Sequence, residues 1–151
     1  MLRRSFLIYC VVFTMFVFQG CMPVTKPFTP AKVEPKKVLV YVYRPESFIA
    51  RGSTWSLKVN GKVVSKYFIN NGYIPIYADE GNIHIELYHD NGFMTPNMYD
   101  ETVIAHTKAG DIYYLKAFME FAGTPHFELM DNEIGAKEIT NSLYFVDQMN
   151  K

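Results

Sequence analysis

Asn60-Gly61 lies between two runs of β-branched and aromatic residues, and no other pair in the chain constrains its folding as tightly. A two-residue type I′ turn needs positive φ at both central positions, which Asn and Gly accept readily, and its handedness matches the twist of the flanking strands. The spacing predicts strands over Thr54–Val59 and Lys62–Ile69, with residue 57 facing 64 and residue 55 facing 66. Trp55, Leu57, Val59, Val64 and Phe68 then share a core face, with Lys62 and Lys66 along its rim and their charged heads in water.

Similar punctuation divides the rest of the chain. Val38–Tyr43 is apolar on both faces and stops at Arg44-Pro45, the pattern of a buried central strand. Asn71-Gly72 precedes a strand over Tyr73–Tyr77, where Pro75 marks an edge or a bulge because proline has no amide hydrogen to give a ladder. After the turn at Asp79-Glu80-Gly81-Asn82, Ile83, Ile85 and Leu87 alternate with His84, Glu86 and Tyr88, which is half-buried strand periodicity. A long loop runs from Asp90 to Met98. Strands follow over Tyr99–Thr107 and Asp111–Glu120, joined at Lys108-Ala109-Gly110, and a last one spans Pro125–Met130. The period then changes: Asp131 suits an N-cap, Ile134 a first buried position, and Lys137, Ile139 and Leu143 a short C-terminal helix weakened by Gly135 and Asn141. About seven or eight closely spaced strands predict an all-β domain, an antiparallel β-sandwich or small barrel, with no βαβ alternation.

The first twenty-one residues carry a different message. Arg3 and Arg4 precede an apolar run from Phe6 to Phe18, too short for the roughly 20 residues that span a bilayer core but suited to a cleaved secretory signal. The run ends in Phe18-Gln19-Gly20-Cys21, which resembles the lipobox of bacterial lipoproteins, although leucine and a small residue are usual where Phe18 and Gln19 stand. The resemblance implies a signal peptide over 1–20, a covalent lipid on Cys21 after cleavage, and two or three acyl chains of the palmitate type as the membrane anchor. Met22 in place of aspartate after the cysteine implies the outer membrane, with the domain facing the periplasm.

Removing Arg3 and Arg4 from 15 basic and 15 acidic residues leaves a net charge of −2, so nothing basic points to nucleic acid. Cys10 goes with the signal and Cys21 is acylated, so the mature domain has no disulfide and must rely on a packed core. Residues 21–36 carry Pro23, Pro27, Pro30 and Pro35, the composition of an extended, semi-rigid tether, and 37–151 is one domain.

The order Val40-Tyr41-Val42-Tyr43-Arg44-Pro45, Val59-Asn60-Gly61-Lys62, Gly72-Tyr73, Gly81 and Ala109-Gly110-Asp111-Ile112-Tyr113-Tyr114 resembles a family of short bacterial lipoproteins carrying a domain of unknown function. The likeness covers Lys37 to about Glu138. It implies a sandwich similar to transthyretin-like or carboxypeptidase-regulatory-like modules and brings no established activity.

Chemistry-bearing residues are sparse. His84 and His89 are an odd number apart and face opposite sides of a continuous strand, and His106 and His126 are remote, so no metal site is expected. There is no Gly-x-Ser-x-Gly, no phosphate-binding glycine loop and no surviving cysteine nucleophile. Asp79-Glu80 and Asp100-Glu101 read as solvated charge, His84 and Glu86 as a polar pair, and neither a catalytic residue nor a cofactor is expected. Two features stand out. Arg44, beside Tyr41 and Tyr43, would suit a bidentate grip on a carboxylate or phosphate, or a structural pair with an acid or with carbonyls at the strand end. Ten tyrosines survive the loss of Tyr9. Tyr67, Tyr73, Tyr77, Tyr88, Tyr99, Tyr113 and Tyr114 are either an exposed binding face or, if the C-terminal helix covers them, a second core. The candidate binding set is Arg44, Tyr41, Tyr43, Tyr73 and Tyr113. The function expected is a non-enzymatic accessory or interaction module, its partner an envelope protein or a cell-wall component. The alternative is a small-ligand or glycan-binding domain using the aromatic face and Arg44, and a hydrolase of unrecognised type ranks third.

Overall fold

The computed structural model describes residues 26–49, 51–89, 98–120 and 124–146. The expected signal peptide, Cys21 and the loop residues 90–97 lie outside the described residues. Among the described residues nine strands and one helix follow in order: β1 (Val38–Tyr43), β2 (Trp55–Val59), β3 (Lys62–Phe68), β4 (Gly72–Ala78), β5 (Gly81–His89), β6 (Met98–Thr107), β7 (Ile112–Met119), β8 (Pro125–Met130), α1 (Asn132–Ile139) and β9 (Tyr144–Phe145). They form a five-stranded sheet in the order β8-β7-β1-β4-β9 and a four-stranded sheet in the order β3-β2-β5-β6. The two face each other as a sandwich, not a closed barrel.

β1 is central, and all six of its residues are buried. Val38, Val40 and Val42 point between the sheets, where they meet Ile74, Leu115, Trp55, Leu57, Phe68 and Ile85 in the main core. Leu39, Tyr41 and Tyr43 point the other way and build a second core outside the sheet with Tyr73 and Ile139. Two of the seven strand pairings among the described residues, β1 with β7 and β4 with β9, are parallel. The antiparallel expectation misses them because alternation records which face is buried but carries no sign of chain direction. Covering β1 on both faces and both edges is what its unbroken apolar run had reflected.

The Asn60-Gly61 turn forms with φ of 49° and 76°. Val59 pairs with Lys62 as expected, but further along Leu57 faces Ser65 and Trp55 faces Phe68, so the register slips past the expected 57–64 and 55–66 pairs. Extra residues on β3 turn Ser65 into a buried position and leave Val64 only packed at the margin of the core. Pro75 sits in β4 opposite Tyr41 of β1 and beyond the short stretch that β9 covers, Gly72 and Tyr73, where a residue without an amide hydrogen costs no β9 ladder bond. In β6, His106 takes φ 55° at a bulge opposite Asn82, whose side chain accepts its amide hydrogen.

At the C-terminus Asp131 caps α1 by accepting the Glu133 amide at 2.9 Å. The buried side of the helix is not the expected one: Ile134 is 51% exposed and Leu143 41%, while Gly135 and Ile139 are buried. Gly135 lets the helix lie directly on β7, since a Cβ there would fall 2.3 Å from the Tyr114 Cβ. Gly135→Ala should therefore destabilise the protein by about 1–3 kcal/mol by overpacking, reversing the ~1 kcal/mol gain in helix propensity. Thermal unfolding of the variant checks the sign.

Candidate functional site

The candidate residues divide by strand parity. Tyr41, Tyr43 and Tyr73 lie together on the outer face of the five-stranded sheet, joined by Tyr77 and Tyr114. Tyr113 faces the main core, with its hydroxyl on Asp111 at 3.1 Å. Arg44 continues β1 one residue past Tyr43 and so turns to the other side.

The outer tyrosine face is closed by the chain itself. Residues 26–33, expected to be part of a free-standing tether, run along it instead. Phe28 inserts between Tyr41 and Tyr73, edge-on to both at 5.4 and 5.2 Å between ring centroids, while Tyr41 stacks on Tyr114 at 5.3 Å. Three of the phenols bond this segment. The Tyr41 hydroxyl accepts the Ala31 amide hydrogen at 2.7 Å, the Tyr73 hydroxyl donates to the Pro27 carbonyl at 3.2 Å, and the Tyr77 hydroxyl donates to the Lys32 carbonyl at 2.7 Å. At its start the segment is held by Lys26 and Phe28 amides donating to Leu143 and Ser142 carbonyls. Prolines suit this role, because backbone without amide hydrogens can lie on side chains without a ladder. The segment is thus physically part of the domain from Lys26, and the boundary at residue 37 does not mark where packing begins. With α1 closing the remainder, Tyr73, Tyr77 and Tyr114 join the second core foreseen as one of the two alternatives, whereas Tyr113 belongs to the main core and Tyr67, Tyr88 and Tyr99 lie on the other sheet.

Tyr43 reaches the edge of this core and donates to Glu138 on α1 at 2.9 Å, and Lys116 holds the same carboxylate at 3.0 Å. Burial pushes the Glu138 carboxyl up, but the hydrogen bonds from Lys116 and Tyr43 outweigh it and hold it below the usual carboxylate range. This Tyr43–Glu138–Lys116 cluster escaped the sequence reading, since α1 and β7 meet it only through tertiary packing.

Arg44 is 2% exposed. Its guanidinium donates to the Ser53 carbonyl at 2.8 Å and to the Ser53 hydroxyl at 3.2 Å, and its Cζ lies 3.7 Å from the centre of the Trp55 ring. This is the carbonyl-bound structural role, with a cation–π contact added, and burial pulls its pKa down to about 10. A cleft of about 180 Å³ is lined by Arg44 together with Pro45, Ile49, Lys116 and Glu128.

The exposed aromatic surface lies on the other sheet. On the outer face of β2, β5 and β6, Tyr88 and Tyr99 are 4.9 Å apart, and Lys58 sits over the Tyr88 ring at 4.1 Å. Tyr88 donates to Glu86 and Tyr99 to Glu101. His84 stands between the carboxylates, 3.2 Å from Glu101 and 3.9 Å from Glu86, so the expected His84–Glu86 pair is a triad whose closer partner comes from β6. The hydrogen bond from Tyr99 holds the Glu101 carboxyl below its ordinary value and raises the phenol in turn. Val103 extends this mosaic toward the sheet edge. Asp100, expected as solvated charge, instead accepts the Phe127 amide at 2.7 Å and ties β6 to β8 across the open side of the sandwich. Among the described residues no three His, Cys, Asp or Glu side chains converge as metal ligands, and no helix is long and apolar enough to cross a membrane.

The fold is thus a β-sandwich with one outer face sealed by its own N-terminal segment and helix and the other carrying a charged aromatic mosaic. No protein-family model matches the sequence, and no curated protein matches it either.

Two outcomes follow. Phe28→Ala should cost about 2 kcal/mol, less than the ~3–5 kcal/mol of a fully buried phenylalanine because Phe28 is half-buried, and should speed proteolysis between residues 26 and 36. Unchanged cleavage would mean the segment is held by its backbone bonds alone. The second concerns alkaline pH. Burial raises Tyr41, Tyr43, Tyr113 and Tyr114 above the ordinary value of 10.0. A phenol raised on folding contributes stability that is complete below its unfolded value and lost as pH climbs through its folded value. Arg44, lowered to about 10, has the opposite sign but is one group against four. Stability should therefore fall progressively above about pH 10, with these phenols ionising only as circular dichroism reports unfolding; ionisation of every tyrosine in the folded state near pH 10 would contradict it.

Proposed function

We propose that this chain is a lipid-anchored lipoprotein of the bacterial envelope whose sandwich serves as a non-enzymatic accessory module, binding an envelope protein or cell-wall component. Cys21 carries the lipid, the anchor sits in the outer membrane, and the domain faces the periplasm. The charged leader, the short apolar run and Gly20-Cys21 support the anchor, as does the resemblance to short lipoproteins with a domain of unknown function.

One observation carries the interaction reading: the two outer faces of the sandwich are treated differently. The five-stranded sheet is closed by residues 26–33 and α1, while the four-stranded sheet leaves Tyr99, Val103, Lys58, His84 and Glu101 at the surface. Amphipathic rings among charges of both signs suit a protein partner, which needs apolar area and polar fixation together. A glycan is the second reading, favoured by the Tyr88–Tyr99 pair with carboxylates on either side.

Protein extracted from its native membrane should have an intact mass that begins at Cys21 and includes acyl chains, and Cys21→Ser should move it to the soluble fraction. A photocrosslinker at Val103 should capture one envelope protein, while the same group at Lys62, on the rim of β3, should not. An unmodified mass would overturn the anchor. Equal capture at both positions would overturn the assignment of the face, and binding of N-acetylglucosamine oligomers without a crosslinked protein would favour the glycan.

A further inference from the structure

The docked N-terminal segment fixes which end of the sandwich can meet a membrane. Lys26 is hydrogen-bonded to Leu143 at 2.9 Å, at the end where β1 leaves its sheet and β4 enters. From there the segment runs the length of the domain, past Tyr73 and Tyr77, to Lys37 at the opposite end. Only four residues lie between Cys21 and Lys26, so the five steps from one to the other reach at most about 18 Å. The sandwich is longer: the ten residues of β6 alone span about 33 Å. A lipid on Cys21 therefore keeps the Lys26 end near the bilayer and holds the opposite end away.

The near end is built differently from the far one. Its β1–β2 loop presents Phe48, 92% exposed, with Ile49 partly exposed beside it, and the loop is fastened to the β3–β4 turn by the Ser47 amide donating to Asn70 at 3.1 Å. Leu143 lies across a cleft of about 340 Å³ from Arg51 in the same loop. Lys26 lies over the Phe145 ring at 4.6 Å, and Arg51, in an exposed pair with Glu46 at 3.4 Å, adds a second cation that a lipid phosphate would have to share with that carboxylate. Among the described residues the far end carries mainly charge and turn residues at its tips, Lys37 with Asp79, then Glu80, Lys108 and the Asn60-Gly61 turn, with Val33 partly exposed on the approach to Lys37. A bare phenylalanine with aliphatic neighbours and flanking cations is the composition of a segment that enters the boundary between headgroups and acyl chains.

We infer that the loop carrying Phe48 and Ile49, with Leu143 beside it, is an interfacial membrane contact, so that the domain stands on the bilayer by this end. Phe48 and Ile49 enter the interface, Lys26 and Arg51 meet lipid phosphates, and the mosaic on the four-stranded sheet is presented sideways to a partner. The inference rests on the Cys21 anchor proposed above.

The test uses the acylated full-length protein in vesicles of phosphatidylethanolamine and phosphatidylglycerol. Phe48→Cys or Lys62→Cys supplies a labelling site for an environment-sensitive fluorophore, since acylation occupies Cys21 and the signal takes Cys10 with it. Lipids brominated near the headgroup should quench the label at position 48 at least about threefold more than at position 62, as for a site ~5–10 Å inside the boundary. Equal quenching at both positions on vesicle-bound, acylated protein would overturn the orientation and leave the anchor standing. A protein whose mass shows no acyl chain and which does not sediment with vesicles would overturn the anchor, and this inference with it. Phe48→Asp, at a residue with no packing to lose, should retain thermal stability yet weaken quenching of a label at Ile49→Cys; undiminished quenching there would also overturn the contact.

Discussion

Strand β1 has no side that faces water, and the rest of the molecule is arranged around that fact. Its odd and even residues supply two separate cores, one between the sheets and one outside them. Leaving Leu39, Tyr41 and Tyr43 bare would expose a contiguous apolar surface, which soluble domains rarely tolerate. The chain covers them from both termini, with Phe28 and Ala31 from one side and Ile139 and Phe145 from the other. The parallel neighbour β7 belongs to the same solution, because its Tyr114 supplies the ring on which Tyr41 stacks and the surface on which Gly135 rests.

Tyrosine suits this second core better than phenylalanine would. The covering segment lacks regular secondary structure, so its amides and carbonyls need partners that no ladder supplies. The phenols of Tyr41, Tyr73 and Tyr77 give them those partners while their rings exclude water. An aromatic surplus that looks like a ligand platform in the sequence thus serves internal hydrogen bonding. The aromatic surface left exposed is that of the opposite sheet, where the phenols of Tyr88 and Tyr99 point to carboxylates on their own face.

What the sequence revealed follows the range over which each signal acts. Local chemistry was legible: the Asn60-Gly61 turn, the Asp131 cap, the alternation of Ile83, Ile85 and Leu87, and the unbroken burial of Val38–Tyr43. Properties set by distant segments were not. The bulge that buries Ser65 depends on what β3 meets across the sandwich, and the parallel placement of β7 on the path through the second sheet. Gly135 reads as a helix weakener until Tyr114 is set beneath it, though its spacing of four from Ile139 was a signal for one buried stripe. Phe28 was the one aromatic ring in a proline-rich stretch, and that isolation was the available sign that the stretch has somewhere to dock. Of the candidate site, the shared face of Tyr41 and Tyr43 was foreseeable from parity and closure by the C-terminal helix was one alternative; the arrival of Tyr73 through the β1–β4 register and closure by residues 26–33 were not foreseeable.

The hydrogen bonds between Lys26 and Leu143 and between Phe28 and Ser142 join the beginning of the described chain to its end. A ribosome releases these partners more than a hundred residues apart, so the outer core cannot close until synthesis has passed Phe145. A chain arrested before α1 would lack Ile139 and Phe145 over Tyr41, Tyr43 and Tyr73 and would present an adhesive sheet. Completion of this domain is therefore a clasp made last. Its order of assembly gives a chaperone or a protease a clear way to distinguish a finished molecule from an unfinished one.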